Sequence, residues 1–410
     1  MINMRRQLLG LGVVAASSLF AINAAHALNG PTAIQIDGGP LGTLELSGGV
    51  DGYGYYISGT NRSDEPASAS GIKADGFNVG SAIIELQKNT GVLQFTLQVG
   101  SNGGATTLGV APTQTTVSNL STGPLYAGYL TIAPTGSPFT ISAGMMPSLE
   151  GYETALDWSN PDQLTTAIFF VQNQQSQGVT LNYTKGPINA SVMFGDGYNT
   201  GVFNFLQALF TYTINSSNAV SVYYGGNLGR TGVNAKTYSG TCSYGSTATG
   251  CFGTVGTFGA QFANSQLIGG FYSYTMGNLN LVPEVQYQVA KADQRVGLDK
   301  ESSNFGAALF ETYTFGKSPY SLGGWVEYFD SHNSAQEASN GDFWLVGPSA
   351  EAIGLSVAPT WQYKYLFARA NAGYLYLLNN KGADGTTFGY GGKGTGRSNF
   401  TGTLEAGVLF

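Results

Sequence analysis

The chain has 410 residues and a formal net charge of −7, with 42% hydrophobic and only 10% charged residues. Ordinary soluble domains carry about 25% charged residues, so a surface that faces water everywhere is disfavoured, and the negative charge disfavours a nucleic-acid partner. The 24 Tyr, 23 Phe and 60 Gly residues occur without a second apolar run of roughly 18 residues. This composition favours strands over membrane-spanning helices.

Residues 1–27 are predicted to be a cleaved signal peptide. Arg5 and Arg6 precede a short apolar run over residues 8–22, and the Ala-His-Ala that ends at Ala27 offers a cleavage site between small residues. A twin-arginine signal is the alternative, because Arg5 and Arg6 are adjacent. Cleavage would leave residues 28–410 as one domain and, with two Arg removed, change the net charge from −7 to −9.

Stretches with alternating apolar and polar residues recur through the rest of the chain. Five examples are "VLQFTLQV", "GVTLNYT", "LNLVPEVQYQV", "YLFARANAGYLY" and the final "NFTGTLEAGVLF". This periodicity predicts strands with one apolar face and one face of Gln, Thr, Asn and Ser. Pro283 removes a ladder hydrogen bond from one such strand, which predicts a bulge or a position at a rim.

About sixteen strands are predicted, and long and short connections alternate between them. Their expected starts are Thr43, Gly76, Val92, Pro124, Pro138, Ser176, Pro187, Asn204, Asn218, Gln266, Leu279, Asn304, Pro319, Ala350, Lys364 and Ser398. The short connections carry the Gly, Asn, Ser and Pro of tight turns. The alternation predicts an all-β fold, a transmembrane antiparallel up-and-down barrel with short periplasmic turns and long extracellular loops. A soluble β-sandwich is the alternative.

The polar face of the predicted strands suits a water-filled lumen, and the apolar face suits lipid. Backbone groups in lipid must be paired within the protein, so the last strand should close the sheet by pairing with the first. Alternation assigns these charged residues to the lumen: Glu85, Glu284, Glu327, Arg369 and Glu405. An excess of acids in a pore favours cations. Alternatively, these charges only keep the wall wet, or basic loop residues offset them.

The third long connection, residues 146–175, differs from the others in composition. It holds an apolar "AIFFV" and no Lys or Arg, and its acidic residues are Glu150, Glu153, Asp157 and Asp162. If this connection folds back into the lumen, the apolar residues could pack on the inner wall and the four acids would lie at the pore constriction. The alternatives are an exposed loop and a further or misregistered strand.

Residues that could carry other chemistry are few. Cys242 and Cys251 lie in a Ser/Thr/Gly-rich loop of an exported chain, which favours a disulfide, with metal binding as the alternative. His332 is the one histidine after residue 27, and its neighbours Asp330 and Ser331 are too close in sequence to form a catalytic triad with it alone. No enzyme activity and no cofactor are expected.

Several stretches together resemble one protein family. They are "GGVDGYGYY", "ISAGMMPSLEGYET", "QGVTLNYTKGPINASVMFGDGYN", "GGWVEYFDSHN" and the C-terminal Phe410. In their order they resemble the OmpL-like β-barrel porins (porin-2) of Gram-negative outer membranes. The resemblance implies a barrel in outer-membrane lipid, a third loop that narrows the pore, and a homotrimer. It also implies that Phe410 is part of the assembly signal read by the barrel-assembly machinery.

Two functions are therefore expected to compete. The first is a water-filled channel for diffusion of small hydrophilic solutes, with a preference for cations. The second is an adhesion or structural barrel of the outer membrane, with a plugged lumen and long loops that bind a surface. Conductance across a planar bilayer would distinguish them.

Overall fold

The computed structural model describes residues 28, 30–59, 75–103, 106–110, 125–231, 236–237, 240–241, 260–296, 298–335, 344–391 and 393–410. The fold is one closed antiparallel barrel of sixteen strands. The strands are β1 Thr43–Ile57, β2 Asp75–Lys88, β3 Leu93–Asn102, β4 Leu125–Ile132, β5 Phe139–Pro147, β6 Gln175–Lys185, β7 Ile188–Asp196, β8 Phe203–Asn215, β9 Asn218–Asn227, β10 Ser265–Met276, β11 Leu279–Ala290, β12 Ser302–Thr314, β13 Tyr320–His332, β14 Glu351–Tyr363, β15 Leu366–Asn379 and β16 Ser398–Leu409.

Each strand pairs with the next along the chain, and the last pairs with the first. The β16–β1 register runs from Leu409 opposite Gly49 to Thr401 opposite Ile57. Phe410 extends this seam, because its backbone N–H and C=O both bond to Gly48, at 2.9 and 2.7 Å. The predicted closure of the barrel by the terminal strand is confirmed.

The strand starts expected from the sequence lie within two residues of the observed ones. Two-residue turns join β6 to β7, where Lys185 pairs with Ile188, and β10 to β11, where Met276 pairs with Leu279. Gly277 in the second turn has φ +60°, a left-handed conformation that glycine adopts at little cost. The strand ends could be located from the sequence because the Gly, Asn, Ser and Pro residues of the short turns interrupt the alternating pattern of the strands.

The two faces of the barrel differ as predicted. On β16, Leu404 is 72% exposed on the outside, whereas Thr401 and Glu405 on the inward face are 0% and 3% exposed. The same alternation holds on β11, where Val285 and Tyr287 are exposed and their polar neighbours are buried. An apolar outer belt of this kind suits contact with lipid.

Pro283 does not produce a bulge, which was one of the two outcomes that the sequence predicted. It lies in β11 opposite Leu309 of β12, and the register on this side is continuous. On the other side, pairing with β10 stops at Phe271–Glu284 and resumes at Tyr274–Leu281 in the same register. The missing N–H group of Pro283 therefore interrupts the pairing only locally, because the residue pairs on either side keep both strands in register.

The remaining elements are short. Ile34–Asp37 is a strand that adds to β1, Thr106–Thr107 pairs in parallel with Leu164–Thr165, and Lys236–Thr237 pairs with Gly240–Thr241. The helices are α1 Ala167–Val171 and α2 Ala260–Ala263, and 3-10 turns cover Gly39–Leu41, Asp157–Ser159 and Gln294–Val296. None of the described helices is long and apolar enough to cross a membrane. The predicted signal peptide (residues 1–27) and disulfide (Cys242–Cys251) lie outside the described residues.

Candidate functional site

Residues 148–174, which connect β5 to β6, lie inside the barrel and are called the lumen segment below. Trp325 on β13 donates from Nε1 to the carbonyl oxygen of Leu164, at 2.6 Å. Thr403 on β16 donates its hydroxyl to Oε1 of Gln163, at 2.7 Å. These partners face inward on strands far around the ring from β5 and β6, so the segment crosses the lumen.

The "AIFFV" stretch of the lumen segment is the short helix α1 and not a further strand. Thr166 caps α1, because its side-chain oxygen accepts from the backbone N–H of Phe169 at 3.3 Å, as N-cap residues do. Earlier in the segment, the Asn160 side chain both donates to and accepts from the backbone of Thr154, each at 2.8 Å. These local bonds give the segment its own fold before it meets the wall.

Glu327 on β13 holds the start of α1. Its two carboxylate oxygens accept from the backbone N–H groups of Ala167 and Ile168, at 2.9 and 2.8 Å. N–H groups in a first helical turn have no partner within the helix, and a negative charge there is favourable. Glu153 supports the same turn from within the segment by accepting from the backbone and hydroxyl of Thr166.

Arg369 on β15 is the second anchor of the lumen segment. Its guanidinium makes two bonds to Glu405 of β16, at 2.8 and 3.1 Å. It also donates to the carbonyl oxygens of Asn160 and Asp157, at 3.0 and 3.1 Å. Both side chains of the ion pair are fully buried, and such bidentate, charge-assisted bonds are among the strongest in proteins.

Three carboxyl groups meet where the segment touches the barrel seam. Oxygens of Asp51, Asp157 and Glu405 lie within 4.8 Å of one another, a spacing that could hold a metal ion. Ser81 bonds to two of them: its N–H donates to Asp51, and its hydroxyl donates to Asp157 at 3.1 Å. The Arg369 guanidinium forms an ion pair with one of the three, Glu405.

The four acids that the sequence assigned to the constriction are all buried. Glu150, Glu153, Asp157 and Asp162 are 4%, 6%, 0% and 0% exposed. Their oxygens accept backbone N–H groups, for example Asn173 on Glu150 at 2.9 Å and Leu164 on Asp162 at 2.8 Å. Burial raises the pKa of Glu150 to about 8 and the pKa of Asp162 to about 6. These carboxyl groups therefore brace the segment, and their role in the pore stays a prediction.

The residues assigned to the lumen face lie on the inner side of their strands. Glu284 is 2% exposed and accepts from the Tyr223 hydroxyl at 2.6 Å. Glu85 is half-buried and accepts from Ser47 and Gln98, at 3.2 and 2.5 Å. Glu327, Arg369 and Glu405 contact the segment or each other as described above. The lining role of these side chains stays a prediction.

Sequence reasoning missed the uncharged anchors of the lumen segment. Gln163 accepts from Thr403, and Gln172 donates to Gln286 of β11 at 2.8 Å. Nothing in the spacing of these amides marks them as contacts across a lumen. Thr166 could have been found, because a threonine directly before an apolar run is a common helix start.

Apolar residues fill the long-loop end of the barrel. The cluster joins α1 to the loops after β7, β9, β11 and β13, and its buried members are Ala167, Val171, Tyr198, Phe205, Phe262, Ala290, Val296, Leu298, Phe329, Trp344 and Leu345. The described loops are therefore packed against the lumen segment at this mouth.

A family described as "Putative beta-barrel porin-2, OmpL-like" matches residues 43–410. The chain belongs to this family. Membership assigns it to the porins of the outer membrane and disfavours an enzymatic function. No curated protein matches the sequence.

Solved structures share the fold of this porin at low sequence identity. The outer-membrane channel DcaP of Acinetobacter baumannii is 11% identical, with a TM-score of 0.55 over 90% of this chain and 97% of that chain. An anion-selective porin of Comamonas acidovorans is also 11% identical, with a TM-score of 0.52 over 90% and 99%. OmpF of Salmonella typhi, in complex with daunomycin, is 14% identical, with a TM-score of 0.52 over 92% and 100%.

Proposed function

We propose that this porin is a diffusion channel for small hydrophilic solutes and that the lumen segment sets its opening. The observation that carries the proposal is the docking of this segment across the barrel by Trp325, Glu327 and Arg369. The wall of β4–β9 is instead lined by paired hydroxyl and amide groups, such as Thr211 with Ser221 at 2.8 Å. Inward side chains of this kind add no fixed charge to the path of a solute.

We further propose that the channel prefers cations. The inward-facing acids assigned from the sequence outnumber Arg369, and the lumen segment adds four acids and no base. Charges at a narrow, partly dehydrated point are screened by salt less than charges on an open surface. The related fold does not decide the sign, because the Comamonas acidovorans porin is described as anion-selective.

The test of this preference is the reversal potential in a KCl gradient at pH 9, because burial raises the pKa of Glu150 to about 8 and this group carries its charge only above that value. Converting Glu150, Glu153, Asp157 and Asp162 to amides preserves shape and should shift the potential toward zero. The matched control converts four exposed acids to amides: Asp37, Glu301, Glu311 and Asp384. A full cation preference in the first variant, or anion selectivity of the unmodified channel, would contradict the proposal.

The second candidate is an adhesion or structural barrel with a closed lumen. The apolar cluster at the long-loop end favours it, because loops packed on α1 close part of that mouth. A folded, heat-modifiable barrel that shows no conductance in a planar bilayer would support this candidate over a channel.

We also propose that Phe410 is part of the signal for assembly into outer-membrane lipid by the barrel-assembly machinery. Support comes from its place at the seam, where its backbone pairs with Gly48. Deleting Phe410 should lower the amount of heat-modifiable barrel in the membrane. Phe400→Ala is the control, because it removes an outward aromatic of the same strand. Equal barrel levels in both variants would contradict the proposal.

We propose a homotrimer as the assembled form. OmpT of Vibrio cholerae, which shares the fold with a TM-score of 0.52, is described in a trimer form. The mass of the detergent-solubilised porin, measured by light scattering, tests this state.

A further inference from the structure

A cavity of about 180 Å³ separates part of the lumen segment from the opposite wall. Its apolar lining is unusual for the inside of a polar barrel. The main apolar side chains come from both the segment and the strands: Tyr126, Tyr152, Phe169, Leu209 and Phe271. Tyr152 and Phe271 pack with ring centroids 5.8 Å apart. This aromatic wall suits an apolar group more than a hydrated ion.

Two oxygen acceptors in the cavity lining have no hydrogen-bond partner. Glu150 is 4% exposed, and its Oε2 accepts from Asn173, whereas its Oε1 has no partner. Gln172 is 2% exposed, and its Nε2 donates to Gln286, whereas its Oε1 also has no partner. A buried polar atom without a partner is costly. Oε1 of Glu150 lies against Gly225, and Oε1 of Gln172 lies against Gly151. A ligand in the cavity that donates hydrogen bonds would remove this cost once the two side chains turn toward it.

The charge of the lining defines the ligand further. Its described residues include two carboxyl groups, those of Glu150 and Glu153, and no Lys, Arg or His. A carboxylate or phosphate ligand would meet repulsion and find no cationic partner there. An ammonium group would find a carboxyl oxygen and aromatic faces, which both attract cations.

We propose that this cavity is a binding subsite for solutes that carry a primary ammonium group on an aromatic or aliphatic body. The ammonium group donates to Glu150 and Gln172, and the apolar body packs among the aromatic side chains. A cavity must offer about 10–15 Å³ to hold one water molecule. This cavity therefore has room for roughly a dozen waters or a ligand of about ten non-hydrogen atoms. The inference rests on the proposed channel function for the route by which solutes reach the cavity.

Calorimetric titration of the detergent-solubilised porin with 2-phenylethylammonium tests the subsite. Two probes of similar shape serve as controls, neutral 2-phenylethanol and anionic 3-phenylpropionate. The ammonium compound should bind at least tenfold more tightly than either. Equal binding of 2-phenylethanol, or tighter binding of the anion, would overturn the proposal.

A matched pair of variants tests the role of the carboxyl group. Glu150→Gln keeps the side-chain shape and should weaken binding of the ammonium compound at least tenfold. Glu301→Gln removes the same charge from an exposed loop position and should leave binding unchanged. Equal affinities in the two variants would overturn the assignment of Glu150.

Bilayer recordings separate this inference from the proposed function. In a conducting channel, the ammonium compound should reduce the current with the concentration dependence found by calorimetry, and Glu150→Gln should abolish the reduction. Binding without any conductance would refute the channel and leave the subsite intact. Conductance without ammonium binding would refute the subsite and leave the channel intact.

Discussion

The inner surface of the barrel has two unlike halves. The docked wall, formed by β11–β16 with β1 and β2, carries buried charged residues that contact the lumen segment or each other: Asp51, Glu284, Glu327, Arg369 and Glu405. The open wall, formed by β4–β9, meets the segment near its ends, as where Ser148 donates to Gln207 at 2.7 Å. Among the described residues of β4–β9, Asp196 at the end of β7 is the one buried charged side chain.

The difference shows what the inward charges do. A buried charge is stable when it is paired and hydrogen-bonded, and the lumen segment supplies backbone partners for the charges of the docked wall. Hydroxyl and amide groups on the open wall satisfy each other instead, as in Thr131 with Ser142 and Ser191 with Asn182, both at 2.8 Å. The charges are therefore anchors first, and any effect on passing ions comes second.

Among the changes considered, removing Arg369 should weaken the attachment of the lumen segment to the docked wall most. Arg369→Met leaves Glu405 buried without its cation and frees the carbonyl oxygens of Asn160 and Asp157. Loss of one partner of a buried ion pair costs about 3–5 kcal/mol. The temperature at which the barrel loses heat-modifiability should fall, and single-channel conductance should rise as the segment detaches.

Arg295→Met is the control for this change, because the Arg295 side chain is 70% exposed and lies in a loop. Adding Glu405→Gln to Arg369→Met should recover part of the lost stability, since the stranded charge is then gone. If Arg369→Met behaves like Arg295→Met, the ion pair does not anchor the segment.

Weakening Glu327 should have an intermediate effect. Glu327→Gln keeps one acceptor for the N–H groups at the start of α1 and removes the charge. Hydrogen bonds to charged groups contribute about 1.5–3 kcal/mol, so the segment should detach more often. Current noise in open channels, compared with that of the unmodified porin, measures this.

A hydroxyl pair on the open wall provides the comparison. Thr211→Val removes the bond between two neutral hydroxyl groups, and a hydrogen bond of this kind contributes about 0.5–1.5 kcal/mol. The current noise of this variant should match that of the unmodified porin. Equal noise in Thr211→Val and Glu327→Gln would abolish the distinction between the two walls.

Raising the pH should loosen the segment slightly. The pKa of Glu150 in the docked segment is about 8, above the ordinary value of 4.5. Its contribution to the free energy of docking is therefore complete below pH 4.5 and is lost as the pH rises through 8. Asp162 loses its advantage earlier, between pH 3.8 and about 6. One group changes the free energy by at most about 1.4 kcal/mol per pH unit.

The measurement is current noise at pH 7 and pH 9 in the unmodified porin and in Glu150→Gln. Titratable side chains that interact with Glu150 include Tyr198 and Tyr223. Burial raises the pKa of Tyr198, so its hydroxyl should stay protonated in this range. Noise should increase with pH, and less so in the variant. A decrease of noise with pH would show that the segment binds more tightly when its acids are ionised.

The sequence predicted the wall better than the contents of the lumen. Alternation along β11 and β16 identified the inward residues, including Glu284 and Glu405. Successive side chains of a strand point to opposite faces of the sheet, and the apolar face is the one that contacts lipid. Register with the neighbouring strands then follows from the short turns. For Pro283 the sequence left a bulge or a rim position open, and the bulge was wrong because the ladder on the β12 side remains intact.

Contacts of the lumen segment could not be read in the same way. Asn160 meets Arg369, 209 residues further along the chain, and no periodicity links the two. Composition flagged the acids of the segment but not their burial, since burial depends on which wall the segment packs against. The "AIFFV" stretch was ambiguous between a helix and a strand because five apolar residues show no period.

The docking of the lumen segment also has a consequence for the order of folding. Gln163 bonds to Thr403, 240 residues later, and Arg369 lies in the last strand but one. Contacts between distant parts of a chain form late, after the chain between them has been ordered. The bonds of the segment to Arg369 and Thr403 can form only when β15 and β16 are in place. We therefore expect the segment to dock in the same step that closes the barrel.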